Sequence, residues 1–198
     1  MPADGGLTQS YAGALDRDST RVVSCNTTSI GRTLTALKRA GLLRRARGTL
    51  LRRATDPWES HQGGITNTLV PEPEIPSLQW PDAQSVDPEL DVVTMAVKVP
   101  ETLAHLHYWS VQLRRRADKE DVLDAFRSSS RIALIRMEAG LTALNTVKGL
   151  MADLGRSDDN LYEVALWADM LKRTTSSSML TWSTIRPSML TRPRIRPS

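Results

Sequence analysis

Apolar residues recur at Ile30, Leu34, Leu37 and Ala40, the spacing of one helical face. Ser24-Cys25-Asn26-Thr27-Thr28 stands before that run, and Ser, Asn and Thr cap helix starts by accepting free backbone N–H groups. Gly41 suits the left-handed residue that closes a helix. The pattern predicts a helix over about 27–40, fed by a short strand end at Arg21-Val22-Val23-Ser24. Further helices are expected at 119–127, where Val122, Leu123 and Phe126 share a face, and at 142–154, with Gly155 as the stop.

Strands are expected around 48–53, 92–99, 108–113, 132–135 and 161–167, where β-branched and apolar residues run short or alternate. Pro71, Pro73, Pro76, Pro81 and Pro88 make 71–88 read as an irregular surface loop. The paired strands around 92–113 have no helix between them, which argues against pure βαβ winding. The expected fold class is α+β, a mixed, largely antiparallel sheet with helices on one face.

Charge divides the chain in two. After Asp169 there is no acidic residue, while Lys172, Arg173, Arg186, Arg192, Arg194 and Arg196 give that end +6. The other 20 basic residues stand against 22 acidic ones, so the net charge of +4 belongs to the tail. The tail is Ser/Thr-rich, repeats Arg-Pro and Ile-Arg-Pro-Ser, and offers little periodic apolar content. It is expected to be disordered over 172–198, after a lead-in at 1–20 and a domain over 21–171. No stretch reaches the roughly 18–20 apolar residues of a membrane span, and the first ten residues do not read as a secretory signal.

Cys25 is the only cysteine, so neither an internal disulfide nor a cysteine-cluster metal site is available. Its neighbours are polar and it adjoins a helix start, where backbone N–H groups and the macrodipole favour an anion. Such a placement makes a thiolate nucleophile and an oxyanion holder at one point, although a lone cysteine also serves as a small buried hydrophobe. His105 and His107 lie at a loop-to-strand junction and supply acid–base chemistry near neutral pH, or sit satisfied in a sheet. As metal ligands they lack an evident third partner; His61 reads as loop. Arg44, Arg45, Arg47, Arg52 and Arg53 form either a solvated face or an anion site. No aromatic residue interleaves with them, so nucleic acid is not the expected partner. No Gly-x-Gly-x-x-Gly and no Walker loop occurs.

The ordered motifs Arg21-Val22-Val23-Ser24-Cys25-Asn26-Thr27-Thr28, Leu51-Arg52-Arg53-Ala54-Thr55-Asp56-Pro57, Thr94-Met95-Ala96-Val97-Lys98-Val99-Pro100 and Thr102-Leu103-Ala104-His105-Leu106-His107 resemble archaeal-type glyceraldehyde-3-phosphate dehydrogenase. Asp121-Val122-Leu123, Gly140-Leu141-Thr142 and Leu154-Gly155-Arg156-Ser157 continue the likeness, which spans about 14–171. The resemblance implies oxidation of glyceraldehyde 3-phosphate with NAD or NADP and inorganic phosphate, giving 1,3-bisphosphoglycerate. Under it Cys25 is the nucleophile and His105 the catalytic histidine that acts as base and polarises the carbonyl. Ser24, Asn26 and Thr27 hold substrate, and Arg53 approaches the cofactor. It further implies a cytoplasmic protein that assembles with copies of itself.

Departures from the family are specific. Pro76-Ser77-Leu78-Gln79-Trp80-Pro81 stands where the family shows Pro-Ser-His-His-Gly-Pro, Ser29 where it favours Gly, and Glu101 where it favours Thr. Cys25 comes too early for the family's Rossmann domain to precede it, and the likeness stops near Leu171. The expectation is a catalytic half without its dinucleotide domain, weak or inactive alone, with a tail that reads as translation in a shifted frame. Two rivals are a residual thiol esterase and a non-catalytic, decaying fragment.

Overall fold

A computed structural model describes residues 23–53, 68–173 and 179–187. Helix α1 spans Cys25–Arg39, strand β1 Leu43–Arg52, strand β2 Val70–Pro71 and helix α2 Gln79–Val86. Strands β3, Val92–Lys98, and β4, Ala104–Leu113, follow, then helix α3, Lys119–Arg127, and strand β5, Ile132–Ile135. Helix α4 is Leu144–Asp153, and strands β6 to β8 are Val164–Trp167, Lys172–Arg173 and Met179–Pro187. The strands form one sheet in the order β2-β3-β1-β4-β8-β6-β5, with β7 paired to β8. The β1–β3 and β5–β6 pairs are parallel and the others antiparallel, the mixed α+β sheet that the patterning predicts, although β3 and β4, expected to pair with each other, both pair with β1, which lies between them.

Helix α1 packs on α2, α3, β1, β6 and β8. Ile30, Leu34 and Leu37 are fully buried against Ala46, Leu50, Trp109 and Trp182 of the sheet. Its Thr-rich sequence has modest helix propensity, so burial rather than propensity holds it. Thr33 Oγ1 donates to the Ser29 carbonyl at 2.9 Å, which satisfies a hydroxyl otherwise stranded in the core. Gly41 takes φ +67° just past the helix end, as expected of a left-handed closing residue. Helix α3 starts at a capping box: Asp118 accepts from the Asp121 N–H at 2.8 Å, and Asp121 accepts from the Asp118 N–H at 3.0 Å. A second apolar cluster joins Val147 and Met151 of α4 to Ala104, Ala165, Trp167 and Ile185. These strand residues alternate with those of the first cluster, so α4 lies on the opposite face of the sheet, whereas the patterning placed the helices on one face.

Two expectations need correction. The proline-rich loop contains helix α2, because Pro81 falls in its first turn, where a missing N–H costs nothing. The tail expected to be disordered over 172–198 holds strands β7 and β8 among its described residues. Strand β8 pairs with β4 from Ala104↔Pro187 to Gln112↔Met179 and with β6 on its other side. Leu180, Trp182 and Ile185 are buried there. Thr, Trp and Ile favour a pleated surface, and this outweighs the polar composition of the segment. Residues 1–20, His61 and Asp56-Pro57 lie outside the described residues.

Candidate active site

Ser24 caps α1. Its Oγ accepts from the Thr27 N–H at 3.1 Å and lies 2.9 Å from Thr27 Oγ1. Cys25 is therefore the first residue of the helix, half-buried and unbridged, at the end where free N–H groups gather. Asn26 and Thr27 turn inward and are 3% and 1% exposed. Asn26 Oδ1 lies 2.8 Å from His107 Nε2, and Thr27 Oγ1 donates to Asp82 Oδ2 of α2 at 3.4 Å. The expectation that these two hold substrate thus meets buried side chains already bonded within the protein.

The second wall is the C-terminal end of β1 beside the start of β4. The Arg53 N–H donates to His105 Nδ1 at 3.1 Å. The His105 ring is nearly buried, and burial together with the Arg53 and Arg52 charges pushes it down to about 4. It is neutral at pH 7. With Nδ1 accepting, the proton of the neutral ring sits on Nε2. His107 lies two residues on, on the same face of β4, fully buried and pushed down to about 3 by burial and by His105. Its ring meets Trp109 edge-on, with centroids 6.2 Å apart.

Arg52 is the site residue whose particular role the sequence did not single out. It pairs with Glu72 and lies within electrostatic reach of Cys25. Burial lowers its pKa while Cys25 opposes that shift. Arg44, Arg45 and Arg47 of the same run are exposed, and the latter two pair with Asp91. An arginine at the strand terminus, in phase with Ala46 and Leu50, is the available signal. The departing segment lies against the same helix. Ser77 is buried, its Oγ donating to Gln79 Oε1 at 2.9 Å and lying 2.7 Å from Thr94 Oγ1, whereas Leu78 is exposed.

A thiol on a helix N-terminus, a guanidinium within electrostatic reach of it and a neutral imidazole on a strand of the same sheet suit nucleophilic attack on a carbonyl. The family model described as "Glyceraldehyde 3-phosphate dehydrogenase, C-terminal domain" matches residues 24–170. The chain belongs to that family. It is 41% identical over 162 residues to the glyceraldehyde-3-phosphate dehydrogenase of Methanopyrus kandleri, covering 81% of this chain and 46% of that protein. The Halobacterium salinarum enzyme of the same name is 39% identical over 160 residues, covering 80% and 48%. The Metallosphaera sedula enzyme is 41% identical over 160 residues, covering 80% and 47%. The chain thus spans about half the length of these dehydrogenases. Among solved structures, aspartate semialdehyde dehydrogenase II from Vibrio cholerae shares the fold with a TM-score of 0.65 at 16% identity, covering 90% of this chain and 60% of that one.

Proposed function

We propose that this chain is the thiol-bearing catalytic domain of a phosphorylating glyceraldehyde-3-phosphate dehydrogenase, acting on glyceraldehyde 3-phosphate and inorganic phosphate. The observation that carries the reading is Cys25, half-exposed at the first position of α1 within electrostatic reach of Arg52, with Asn26 bonded to the strand that bears His105. The Cys25 sulfur adds to the aldehyde carbon, and the carbonyl electrons move to oxygen. Helix N–H groups and the Nε2–H of His105 stabilise that oxygen. Because the Arg53 N–H fixes the tautomer, His105 polarises the carbonyl as a donor. Acting as a base, the other role implied by the resemblance, would require breaking that bond. Ser24, exposed beside the thiol, is the substrate-facing member of the motif. In the last step phosphate attacks the thioester carbonyl and Cys25 leaves as thiolate, with the Arg52 charge within electrostatic reach.

NAD or NADP, when bound, takes up the hydride from the substrate carbon. The residues present fit only its reacting end, where Arg53 is this chain's contribution. A diphosphate needs a glycine-lined backbone cradle. Among the described residues the left-handed glycines, Gly41, Gly140 and Gly155, close helical turns instead. Turnover with NAD or NADP by these residues alone is therefore expected to be weak or absent. A cytoplasmic setting and assembly with copies of itself belong to the same reading. Among the described residues no helix is long and apolar enough to cross a membrane.

Stopped-flow mixing with p-nitrophenyl acetate tests the thiol chemistry without any cofactor. One equivalent of nitrophenolate is expected in a burst that Cys25→Ser abolishes. No burst, or an equal burst from Cys25→Ser, refutes the reading.

A further inference from the structure

Cys25 sits on α1 and His105 on β4, two elements joined only through the rest of the fold. One buried bond ties them directly: His107 Nε2 to Asn26 Oδ1 at 2.8 Å. Asn26 follows Cys25 in the helix, and His107 shares a strand face with His105. We propose that this bond is the strut that sets the Cys25 thiol against the His105 ring, and that His107 is a positioning residue that touches no substrate.

The inference rests on the catalytic reading above and is argued from the burial, packing and bonding of the His107 ring. His107 is fully buried and Asn26 nearly so, which leaves neither as the open face of a substrate site. The bond is short, and a buried hydrogen bond in a low-dielectric interior resists displacement by water. The ring is braced from behind, since His107 meets Trp109 edge-on, Trp109 stacks on Trp182 at 6.5 Å, and Trp182 meets Phe126 at 5.7 Å. Nδ1 of His107 has no partner among the described residues. An orphaned buried N–H is rarer than an orphaned acceptor, so the ring proton lies on Nε2, aimed at Asn26. His107 stays neutral well below pH 7, which suits a fixed strut and not a proton carrier. His105 is tied separately, by the Arg53 N–H.

The burst of Cys25 acylation by p-nitrophenyl acetate reads the geometry. His107→Leu, which keeps volume and loses the donor, is expected to slow the burst about tenfold to a hundredfold, as small misplacement of reacting groups does. His107→Gln carries an amide N–H near the place of Nε2 and is expected to stay within about threefold of the unmodified protein. The double-mutant cycle adds a readout that simple destabilisation does not move. The loss caused by His105→Asn is expected to shrink to about twofold or less in the His107→Leu background, because the ring is then already out of place.

A His107→Leu burst within about twofold of normal, at an unchanged melting temperature, overturns the strut. So does His107→Gln that is as slow as His107→Leu. Where His107→Leu fails to fold, Asn26→Ala cuts the same bond from the helix side and Asn26→Asp keeps the acceptor, with the same outcomes expected. The bond itself is read by proton–nitrogen NMR of the His107 ring. Nε2–H is expected as a downfield, exchange-protected signal that moves in Asn26→Ala. Its absence overturns the strut whether or not the unmodified protein gives a burst, whereas a missing burst with the signal present counts against the catalytic reading.

Discussion

Trp182→Ala tests the placement of β8 most sharply. Trp182 is 2% exposed, stacks on Trp109 with 28° between ring planes, and meets Phe126 at 64°. Its Nε1 has no partner among the described residues, so truncation removes packing and no hydrogen bond. The cavity lies between α1, α3 and the central strands, where a rigid sheet cannot collapse to fill it. Deleting a buried Trp in such a setting costs about 3–5 kcal/mol. For a chain of this size that lowers the melting temperature by roughly 6–20 °C. Urea unfolding followed by far-ultraviolet circular dichroism measures it, and an unchanged slope would keep the comparison within two states. A loss below about 0.5 kcal/mol is the size expected of a surface substitution, and would refute the placement of β8 in the core.

Other perturbations follow from the same packing and electrostatics. Gly48→Ala would set its Cβ 2.6 Å from Trp109 Cζ3, so it is expected to destabilise by about 1–3 kcal/mol in urea titrations; an effect near zero would contradict the close approach of β1 and β4. His105 and His107 are held at about 4 and about 3 against 6.5 unfolded, so as pH falls the unfolded chain takes up protons first. Stability is therefore complete above about pH 6.5 and declines below it, by at most about 1.4 kcal/mol per pH unit for each ring. His107→Gln should flatten that decline, and an unaltered pH profile would show that the buried rings are not its source. Arg52→Gln removes a cation within electrostatic reach of Cys25, and iodoacetamide labelling of Cys25 at neutral pH is expected to slow about threefold. An unchanged rate would remove Arg52 from the site.

Much of this arrangement is legible along the chain because it is written in local rules. The run Ile30, Leu34, Leu37 dictates a helix face, and Ser24 before it dictates where the helix begins. That places Cys25 among free N–H groups before any tertiary contact is known. The strand expected over 108–113 begins at Ala104, and alternation along it sets His105 and His107 on one face. Three features were hidden. The partner of Asn26 lies 81 residues away and no local pattern names it. Arg52 looked like one member of a basic run until the pleat and Glu72 set it apart. The segment 179–187 reads as a polar tail by composition, yet its Leu180, Trp182 and Ile185 fill space that β4 and β6 leave between them. Composition averages over a window, whereas a central strand needs only a few large residues in phase.

The central claim is that Cys25 exchanges acyl groups with phosphate, and the reverse half-reaction tests it without a hydride acceptor. Incubation with 1,3-bisphosphoglycerate lets the Cys25 thiolate attack the acyl phosphate carbonyl, forming a thioester as inorganic phosphate leaves. Intact-protein mass spectrometry followed by peptide mapping should find one phosphoglyceroyl group, on Cys25, absent in Cys25→Ser and released again by added phosphate. An unmodified Cys25, or acylation spread over lysines, would contradict the account.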